Sequence, residues 1–255
     1  MILELDCGNT LIKWRVLNPK THKATSVQVI RGIEELLPQV TQQDILLTSL
    51  DWGRLVSVRS DEETQAIIQA MHQQLGIAMA VAKPAAQLAG VTNGYQEPQR
   101  LGMDRWLAVL GAYHHTQGPC LVIDLGTAVT VDWVDPQGQH LGGFITPGLP
   151  MLRTQLQLHT RRVRYSVEEA QQALHSLEPG TSTGQAVERG CLLMLRAYIE
   201  KQIGSAQAQL GAQCSILVTG GDLEIVADLP AVQSVPDLVF QGLAIACPYP
   251  FSINA

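Results

Sequence analysis

The sequence predicts an α/β protein of two related lobes. In each half of the 255-residue chain, apolar segments typical of strands come first and helical patterns follow. The motif Asp-x-Gly-[Asn/Thr] occurs as Asp6-Cys7-Gly8-Asn9 and again, 118 residues later, as Asp124-Leu125-Gly126-Thr127. Because Gly-Pro commonly interrupts regular structure, Gln117-Gly118-Pro119 is a plausible boundary between lobes at 1–118 and 119–255.

Hydrophobic periodicity predicts the elements of the first lobe. The predicted strands are 2–5, 11–17, 54–59 and 77–82. Ser60 and Glu63 form a capping box, and Ile67, Met71 and Leu75 follow it at helical spacing. A polar loop over 91–102 and a helix over 104–113 complete the predicted elements of this lobe.

The second half repeats the arrangement. The predicted strands are 120–123, 129–134, 141–145 and 215–218, and the predicted helices are 166–176 and 183–203. The glycine pair Gly220-Gly221 closes the last strand. Residues 242–246 are predicted to begin a buried terminal helix.

Composition excludes several classes of protein. Hydrophobic residues make up 46% and charged residues 16% of the chain, which excludes global disorder. A net charge of −6 and an aromatic content of 5% disfavour a nucleic-acid partner. No apolar stretch is long enough to span a bilayer, and the acidic N-terminus is not a signal peptide, so we expect a cytoplasmic protein without a membrane partner. Five dispersed cysteines and the adjacent pair His114-His115 predict neither a disulfide framework nor a metal site.

The repeated tips carry chemistry suited to a polyphosphate. Glycine lets backbone N–H groups approach phosphate oxygens, and Lys13 supplies positive charge beyond the first tip. Asp6 and Asp124 can hold a cation, directly or through water. The alternative is that each Asp-x-Gly is only a hairpin turn, but two copies half a chain apart disfavour it. No P-loop motif is present, and no GxGxxG follows a strand.

A second candidate site is Gly102-Met103-Asp104-Arg105-Trp106. Asp104 is predicted to open a helix, either as its N-cap or as a general base that accepts a substrate proton, and the two roles can coexist. Arg105 either holds an anionic group of the substrate or is a solvated helix residue. Tyr95 is either a pocket wall or a loop anchor.

A basic run, with residues Arg153, His159, Arg161, Arg162 and Arg164, is most simply a solvated face. The alternatives are a subunit contact and an anion site.

These motifs together resemble the type III pantothenate kinases of the actin/Hsp70/sugar-kinase superfamily. The matching segments are Asp6-Cys7-Gly8-Asn9-Thr10-Leu11-Ile12-Lys13-Trp14, Gly102-Met103-Asp104-Arg105-Trp106, Asp124-Leu125-Gly126-Thr127-Ala128-Val129-Thr130, Gly142-Gly143-Phe144-Ile145-Thr146-Pro147-Gly148 and Thr219-Gly220-Gly221-Asp222. The resemblance covers essentially the whole chain. It implies two ribonuclease-H-like lobes around a nucleotide cleft, and the ATP-dependent phosphorylation of pantothenate that begins coenzyme A synthesis.

The resemblance also implies a role for each site residue. The implied ATP ligands are Asp6, Cys7, Gly8, Asn9, Thr10, Leu11, Ile12, Lys13 and Thr127; the implied pantothenate ligands are Tyr95, Gly102, Met103, Asp104, Arg105 and Thr183. Asp104 is the implied proton acceptor, and Asp124 the implied ligand of a potassium or ammonium ion. ATP with Mg²⁺ is the implied phosphoryl donor, and the implied assembly is a homodimer.

Two other functions remain compatible with part of the pattern. A sugar or acetate-type kinase would share the Asp-x-Gly tips but not the 102–105 motif. A regulatory module could keep the nucleotide site without turnover; loss of Asp104 or Lys13 would favour it, and both residues are present.

Overall fold

A computed structural model describes residues 1–42, 49–174 and 176–250. The chain divides into two compact units, one formed by Met1–His115 with Asp237–Ala255 and the other by Thr116–Pro236. The sequence suggested a boundary only a few residues later, after 118, but it also assigned everything beyond that boundary to the second lobe. The C-terminal segment instead belongs to the first unit.

The first unit is built on a five-stranded sheet of order β3-β2-β1-β4-β5. Its strands are β1 (Ile2–Cys7), β2 (Ile12–Leu17), β3 (Gln28–Ile30), β4 (Trp52–Ser57) and β5 (Met79–Val81). β1 is antiparallel to β2 and parallel to β4. The carboxyl ends of β1 and β4 therefore lie at the same edge of the sheet, where α/β proteins commonly bind ligands.

Four α-helices lie in the described part of this unit. They are α1 (Leu36–Gln42), α2 (Asp61–Leu75), α3 (Met103–Thr116) and, after the second unit, α7 (Leu238–Ala246). The predicted capping box of α2 is confirmed, since Glu63 N donates to Ser60 Oγ at 3.2 Å and Ser60 N donates to the Glu63 carboxylate at 3.1 Å. A small hairpin, β6 (Gln87–Leu88) and β7 (Val91–Thr92), precedes α3 and includes the start of the predicted loop over 91–102.

The terminal helix α7 joins the first unit because it packs on β1, β4 and α3. Gly242 of α7 lies so close to α3 that a Cβ there would overlap the Leu107 carbonyl group. Gly111 of α3 meets the Leu238 carbonyl in the same way. Glycine at both positions therefore permits a close approach of the two helices. The sequence predicted a helix starting at 242, whereas α7 starts at Leu238 and ends at Ala246.

The second unit repeats the sheet of the first. Its strands are β8 (Cys120–Leu125), β9 (Ala128–Val134), β10 (His140–Pro147), β11 (Ser215–Gly220) and β12 (Val232–Ser234). The order is β10-β9-β8-β11-β12, with β8 antiparallel to β9 and parallel to β11. Strand order and strand directions match the first sheet, so the internal repeat inferred from the Asp-x-Gly motifs extends to the whole sheet. The two-lobed ribonuclease-H-like fold predicted for the chain is confirmed.

The α-helices that the structure describes beside the second sheet are α4 (Leu149–His159), α5 (Val167–Ala173) and α6 (Thr183–Leu210). Apolar residues of α6, among them Leu195 and Ile199, pack with the core face of the sheet. The sequence did not predict α4 or the short outer elements β3, β12 and α1. Residue 175, inside the predicted helix 166–176, lies outside the described residues.

All five cysteines are buried free thiols, and burial raises the pKa of Cys120 to about 12. In the described part of the chain, the structure contains no group of three or more metal-ligating side chains and no helix long and apolar enough to cross a membrane.

Candidate active site

The first Asp-x-Gly tip connects the antiparallel strands β1 and β2. Asp6 lies directly opposite Lys13 in the strand register, so the two side chains emerge on the same face of the sheet. Asn9 and Thr10 are exposed at the turn. The tip thus presents an acid, a cation and two hydrogen-bonding side chains at one edge of the sheet.

Two side chains of this segment point into the core instead. Cys7 and Ile12 are fully buried among the apolar residues of the first unit. Burial, together with the neighbouring Asp6 carboxylate, raises the pKa of the Cys7 thiol to about 12, so the thiol is neutral. Only the backbone groups of Cys7 and Ile12 are therefore available to a ligand at the tip.

Arg59 is a further basic residue at this tip, and no local sequence pattern indicated it. Its Nε donates to the Gly8 carbonyl at 2.8 Å. Arg59 lies two residues beyond β4, at the end of the sheet where β1 also ends. This position can be recognised only once β1 and β4 are known to be parallel neighbours.

Tyr95 and Arg105 form a preassembled pair. Arg105 Nη1 donates to the Tyr95 hydroxyl at 2.6 Å, and the guanidinium carbon lies 5.5 Å from the centre of the tyrosine ring. Only 4% of Arg105 is exposed, so its interpretation as a solvated helix residue is wrong.

The loop that carries Tyr95 is fixed by the buried side chain of Asn93. Asn93 Nδ2 donates to the carbonyls of Ala85 and Pro98, each at 3.2 Å, and Asn93 Oδ1 accepts from Tyr95 N at 3.0 Å. Asn93 is 7% exposed. One amide therefore ties three points of the loop together and orients the Tyr95 backbone.

Asp104 lies in the first turn of α3, which begins at Met103, so the interpretation of Asp104 as the N-cap is wrong. The Gly102 carbonyl accepts from Trp106 N at 2.9 Å, which makes Gly102 the residue that precedes the helix. Asp104 is half-buried, and its Oδ1 accepts from Arg105 N at 2.8 Å. A Cβ at Gly102 would lie 2.9 Å from Asp104 Oδ1, so glycine leaves space beside this carboxylate. The positive end of the helix dipole stabilises the negative charge there.

The second Asp-x-Gly tip is enclosed by two glycines from distant segments. A Cβ at Gly220, whose φ is +105°, would lie 2.6 Å from Asp124 Oδ1. Gly148 N donates to the Thr127 carbonyl at 3.0 Å, and a Cβ there would meet that oxygen at 2.7 Å. Thr127 itself is exposed. Substitution of either glycine by a larger residue would therefore displace the tip.

Two oxygen donors of the second tip lie beside Gly220. The Asp124 carboxylate and the Leu125 carbonyl oxygen both pack closely against Gly220, where a Cβ would overlap that carbonyl, and the carbonyl accepts from Asp222 N at 3.0 Å. Hard cations prefer such oxygen donors. The donor set, with glycine in place of a bulky side chain, is compatible with potassium or ammonium.

Thr183 is the exposed first residue of α6, and the Ser182 hydroxyl before it accepts from Gln185 N at 3.3 Å. Ser182 is therefore the N-cap, and the threonine hydroxyl is not needed to cap the helix.

The basic run divides into two parts. Arg161, Arg162 and Arg164 are exposed, as a solvated face predicts. Arg153 is different, because its Nε donates at 2.6 Å to Glu188, which is fully buried. The interpretation of Arg153 as part of a solvated face is wrong: the buried carboxylate requires a cationic partner.

Comparisons with known proteins agree on one family. The sequence model of the type III pantothenate kinases matches residues 2–205. The type III pantothenate kinase of Ectopseudomonas mendocina (strain ymp) is 51% identical over 249 residues, covering 97% of this chain and 99% of that protein. The enzyme of the same name from Pseudomonas savastanoi pv. phaseolicola is 53% identical with the same coverage.

Solved structures share the fold at low sequence identity. A protein titled as a conserved Baf family transcriptional activator from Campylobacter jejuni aligns with a TM-score of 0.59 at 19% identity, covering 94% of both chains. An ethanolamine utilization protein from Carboxydothermus hydrogenoformans aligns with a TM-score of 0.54 at 12% identity, covering 96% of this chain and 89% of that one.

The sequence relatives match the chain along nearly its whole length, and the solved structures share the fold of its two units. The resemblance seen in the sequence motifs is confirmed, and the chain belongs to the type III pantothenate kinase family.

Proposed function

We propose that this chain transfers the γ-phosphoryl group of ATP to the hydroxyl of pantothenate. The products are ADP and 4′-phosphopantothenate, and the reaction is the first step of coenzyme A synthesis. The observation that carries this proposal is the 51% identity to a type III pantothenate kinase over 97% of the chain. The family model, which matches residues 2–205, includes the motifs at 6–14, 102–106, 124–130 and 142–148.

The first tip is proposed to bind the ATP phosphates. Backbone N–H groups of the Asp6–Lys13 segment and the Lys13 ammonium would neutralise phosphate charge, and Thr127 would contribute its hydroxyl. Cys7 and Ile12 would act through their backbones, since their side chains are buried. Asn9 and Thr10, exposed at the turn, would donate to phosphate oxygens.

Asp104 is proposed as the general base. Its carboxylate would accept the proton of the pantothenate hydroxyl as that oxygen bonds to the γ-phosphorus and the bond to the ADP oxygen breaks. The lone pair of that bond leaves on ADP. Arg105, held by Tyr95, would bind the pantothenate carboxylate, and Gly102, Met103 and Thr183 would complete the acceptor site.

Mg²⁺ is expected to accompany ATP and to neutralise developing phosphate charge when bound. A monovalent cation is proposed to bind at Asp124 and the neighbouring carbonyl oxygens. Asp6 is proposed to contact Mg²⁺ through water, because protein-bound Mg²⁺ usually keeps several water ligands and needs few carboxylates.

Asp124→Asn is expected to weaken potassium activation by about tenfold or more, because a neutral amide replaces the charged ligand of the cation. The measurement is the rate of ADP release as a function of KCl concentration. Asp228→Asn is the matched control, since Asp228 forms an exposed ion pair with Arg196. An unchanged potassium titration of the Asp124 variant would assign the cation to another site.

Asn93→Ala is expected to raise the KM for pantothenate about tenfold with a smaller change in kcat, because three loop contacts lose their shared partner. The KM for ATP should stay within about twofold, since those contacts belong to the acceptor loop. Asn18→Ala, which removes an exposed turn contact to Lys20 N, is the control. Equal rises in both KM values would show a general loss of structure instead.

A homodimer is also proposed. Supporting it, β10 forms one edge of the second sheet and exposes Phe144 by 50% and Ile145 by 63%, and α6 exposes Leu193 and Met194 by about half. Exposed apolar side chains of this size commonly mark a protein interface. Light scattering of wild type and of Ile145→Lys tests the assembly, with a shift toward monomer expected for the variant. The cytoplasm is the proposed location, because ATP is the phosphoryl donor.

The deciding assay follows ADP release with purified protein, ATP, Mg²⁺, and either K⁺ or Na⁺, with and without pantothenate. Potassium-stimulated release that requires pantothenate supports the proposed reaction and cation together. Release that is independent of pantothenate indicates an ATPase or another acceptor. ATP binding without release indicates a regulatory module, and Asp104 would then lose its proposed role.

A further inference from the structure

Arg59 occupies the sheet edge next to the first tip. β4 runs parallel to β1 and pairs Ser57 with Cys7, so the residues that follow both strands emerge side by side. The parallel pairing continues one step further, because Val58 N donates to the Cys7 carbonyl at 3.1 Å. Arg59 is therefore a neighbour of Gly8 in space although 51 residues separate them in sequence.

The backbone and side chain of Arg59 are both fixed. Arg59 N donates to Ser57 Oγ at 3.2 Å, and the Ser57 hydroxyl also forms a hydrogen bond with the Thr64 hydroxyl of α2 at 2.7 Å. The guanidinium is anchored through Nε, which donates to the Gly8 carbonyl at 2.8 Å. A planar guanidinium held at Nε keeps its two terminal nitrogens in a defined plane beside the tip.

The charge of Arg59 is only weakly balanced. Among residues 1–42, 49–174 and 176–250, no carboxylate forms an ion pair with it. Glu63 feels its field, but the main cause of the lowered Glu63 pKa is the hydrogen bond from Ser60, and Glu63 is exposed to water. A half-buried guanidinium with unused donors beside glycine backbone is the arrangement that binds phosphate oxygens.

We propose that Arg59 binds the phosphate chain of the nucleotide through its terminal guanidinium nitrogens while Nε holds the Gly8 carbonyl. This assignment rests on the proposed ATP site at residues 6–13. Lys13 of β2 and Arg59, in the segment that follows β4, then supply two cations from different parts of the chain. The Gly8 contact also orients the peptide that follows β1, so one side chain both shapes the tip and neutralises its ligand.

Nucleotide binding without pantothenate tests the assignment separately from the proposed reaction. Calorimetric titration with ATP and Mg²⁺ should give a Kd about 10- to 100-fold weaker for Arg59→Gln than for wild type, the usual cost of losing a hydrogen bond to a charged group. Arg31→Gln, which alters an exposed arginine of the same unit, should bind like wild type. An unchanged ATP Kd for the Arg59 variant would overturn the proposal. If ATP binding is weakened as expected but wild-type protein does not phosphorylate pantothenate, only the proposed reaction is overturned.

Ionic strength separates a phosphate contact from a purely structural anchor. Added tetramethylammonium chloride screens a charge–charge contact, so the ratio of the variant Kd to the wild-type Kd should fall several-fold between low and high salt. Loss of the Gly8 anchor alone predicts a constant ratio, because that hydrogen bond joins a guanidinium to a neutral carbonyl within the protein. A constant ratio would therefore assign Arg59 to the structure of the tip and reject the phosphate contact.

Wild-type protein gives a second test that does not depend on folding of a variant. Phenylglyoxal modifies accessible arginines, and mass spectrometry of peptides measures the rate at each residue. ATP or inorganic tripolyphosphate should slow modification of Arg59 several-fold and leave Arg31 unchanged, because a bound phosphate covers the terminal guanidinium nitrogens. Equal rates at Arg59 with and without the polyphosphate would contradict the contact.

Discussion

Asp104→Asn is expected to lower kcat for pantothenate phosphorylation by about 10²- to 10⁴-fold, the usual range for removal of a general base. An amide cannot accept the hydroxyl proton at neutral pH. It has nearly the shape of the carboxylate, and its oxygen can still accept from Arg105 N, as Asp104 Oδ1 does at 2.8 Å. We therefore expect the first turn of α3 to stay intact and the Kd for ATP to remain within about twofold.

Single-turnover kinetics and calorimetry measure the two quantities separately. Glu168→Gln is the control, because it also removes a carboxylate from the first turn of a helix, at an exposed position of α5. A variant that turns over at the wild-type rate would remove Asp104 from the proposed mechanism. A parallel loss of ATP affinity would show that the aspartate supports the nucleotide site.

Local chemistry made much of the fold predictable. The capping box at Ser60 and Glu63, the two Asp-x-Gly hairpins and the alternating apolar strands are each determined by residues that are close in sequence. The internal repeat was visible for the same reason, since both tips keep the same Asp-x-Gly residues. Family resemblance then indicated Asp104 and Tyr95 as site residues.

Contacts between distant segments could not be predicted. The return of α7 to the first unit depends on its packing against β1, β4 and α3, which no local pattern encodes. Arg59 meets Gly8 only because β1 and β4 are parallel neighbours. Gly148 and Gly220 look like ordinary turn residues in the sequence, and their close approaches to the second tip emerge only in the folded sheet.

The same kind of long-range contact produces a buried charge network behind the first tip. Glu4 is fully buried on β1, on the sheet face opposite the core residues Leu3 and Leu5. Its carboxylate accepts from Arg54 Nε at 2.7 Å and from Arg15 Nε. Arg15 Nη1 also donates to Asp237 at 2.8 Å, just before α7 begins. The network thus links three strands of the sheet to the terminal helix.

Glu4→Gln is expected to lower the free energy of unfolding by about 3–5 kcal/mol, because it leaves buried Arg54 without a carboxylate and leaves Arg15 with only the partly exposed Asp237. Arg54 Nη1 still donates to the Cys247 carbonyl at 2.9 Å, but a neutral carbonyl does not compensate the charge. We expect the loss to weaken the attachment of α7 first, since both arginines contact the segment that includes this helix.

Urea unfolding monitored by circular dichroism measures the change, and hydrogen exchange of the α7 amides locates it. Glu97→Gln is the matched control: Glu97 pairs with Arg100 on the surface, where such a pair contributes at most about 1 kcal/mol. A Glu4 variant as stable as the control would mean that water or rearranged side chains compensate both arginines. In that case the charge network would not be what holds the C-terminal helix on the first unit.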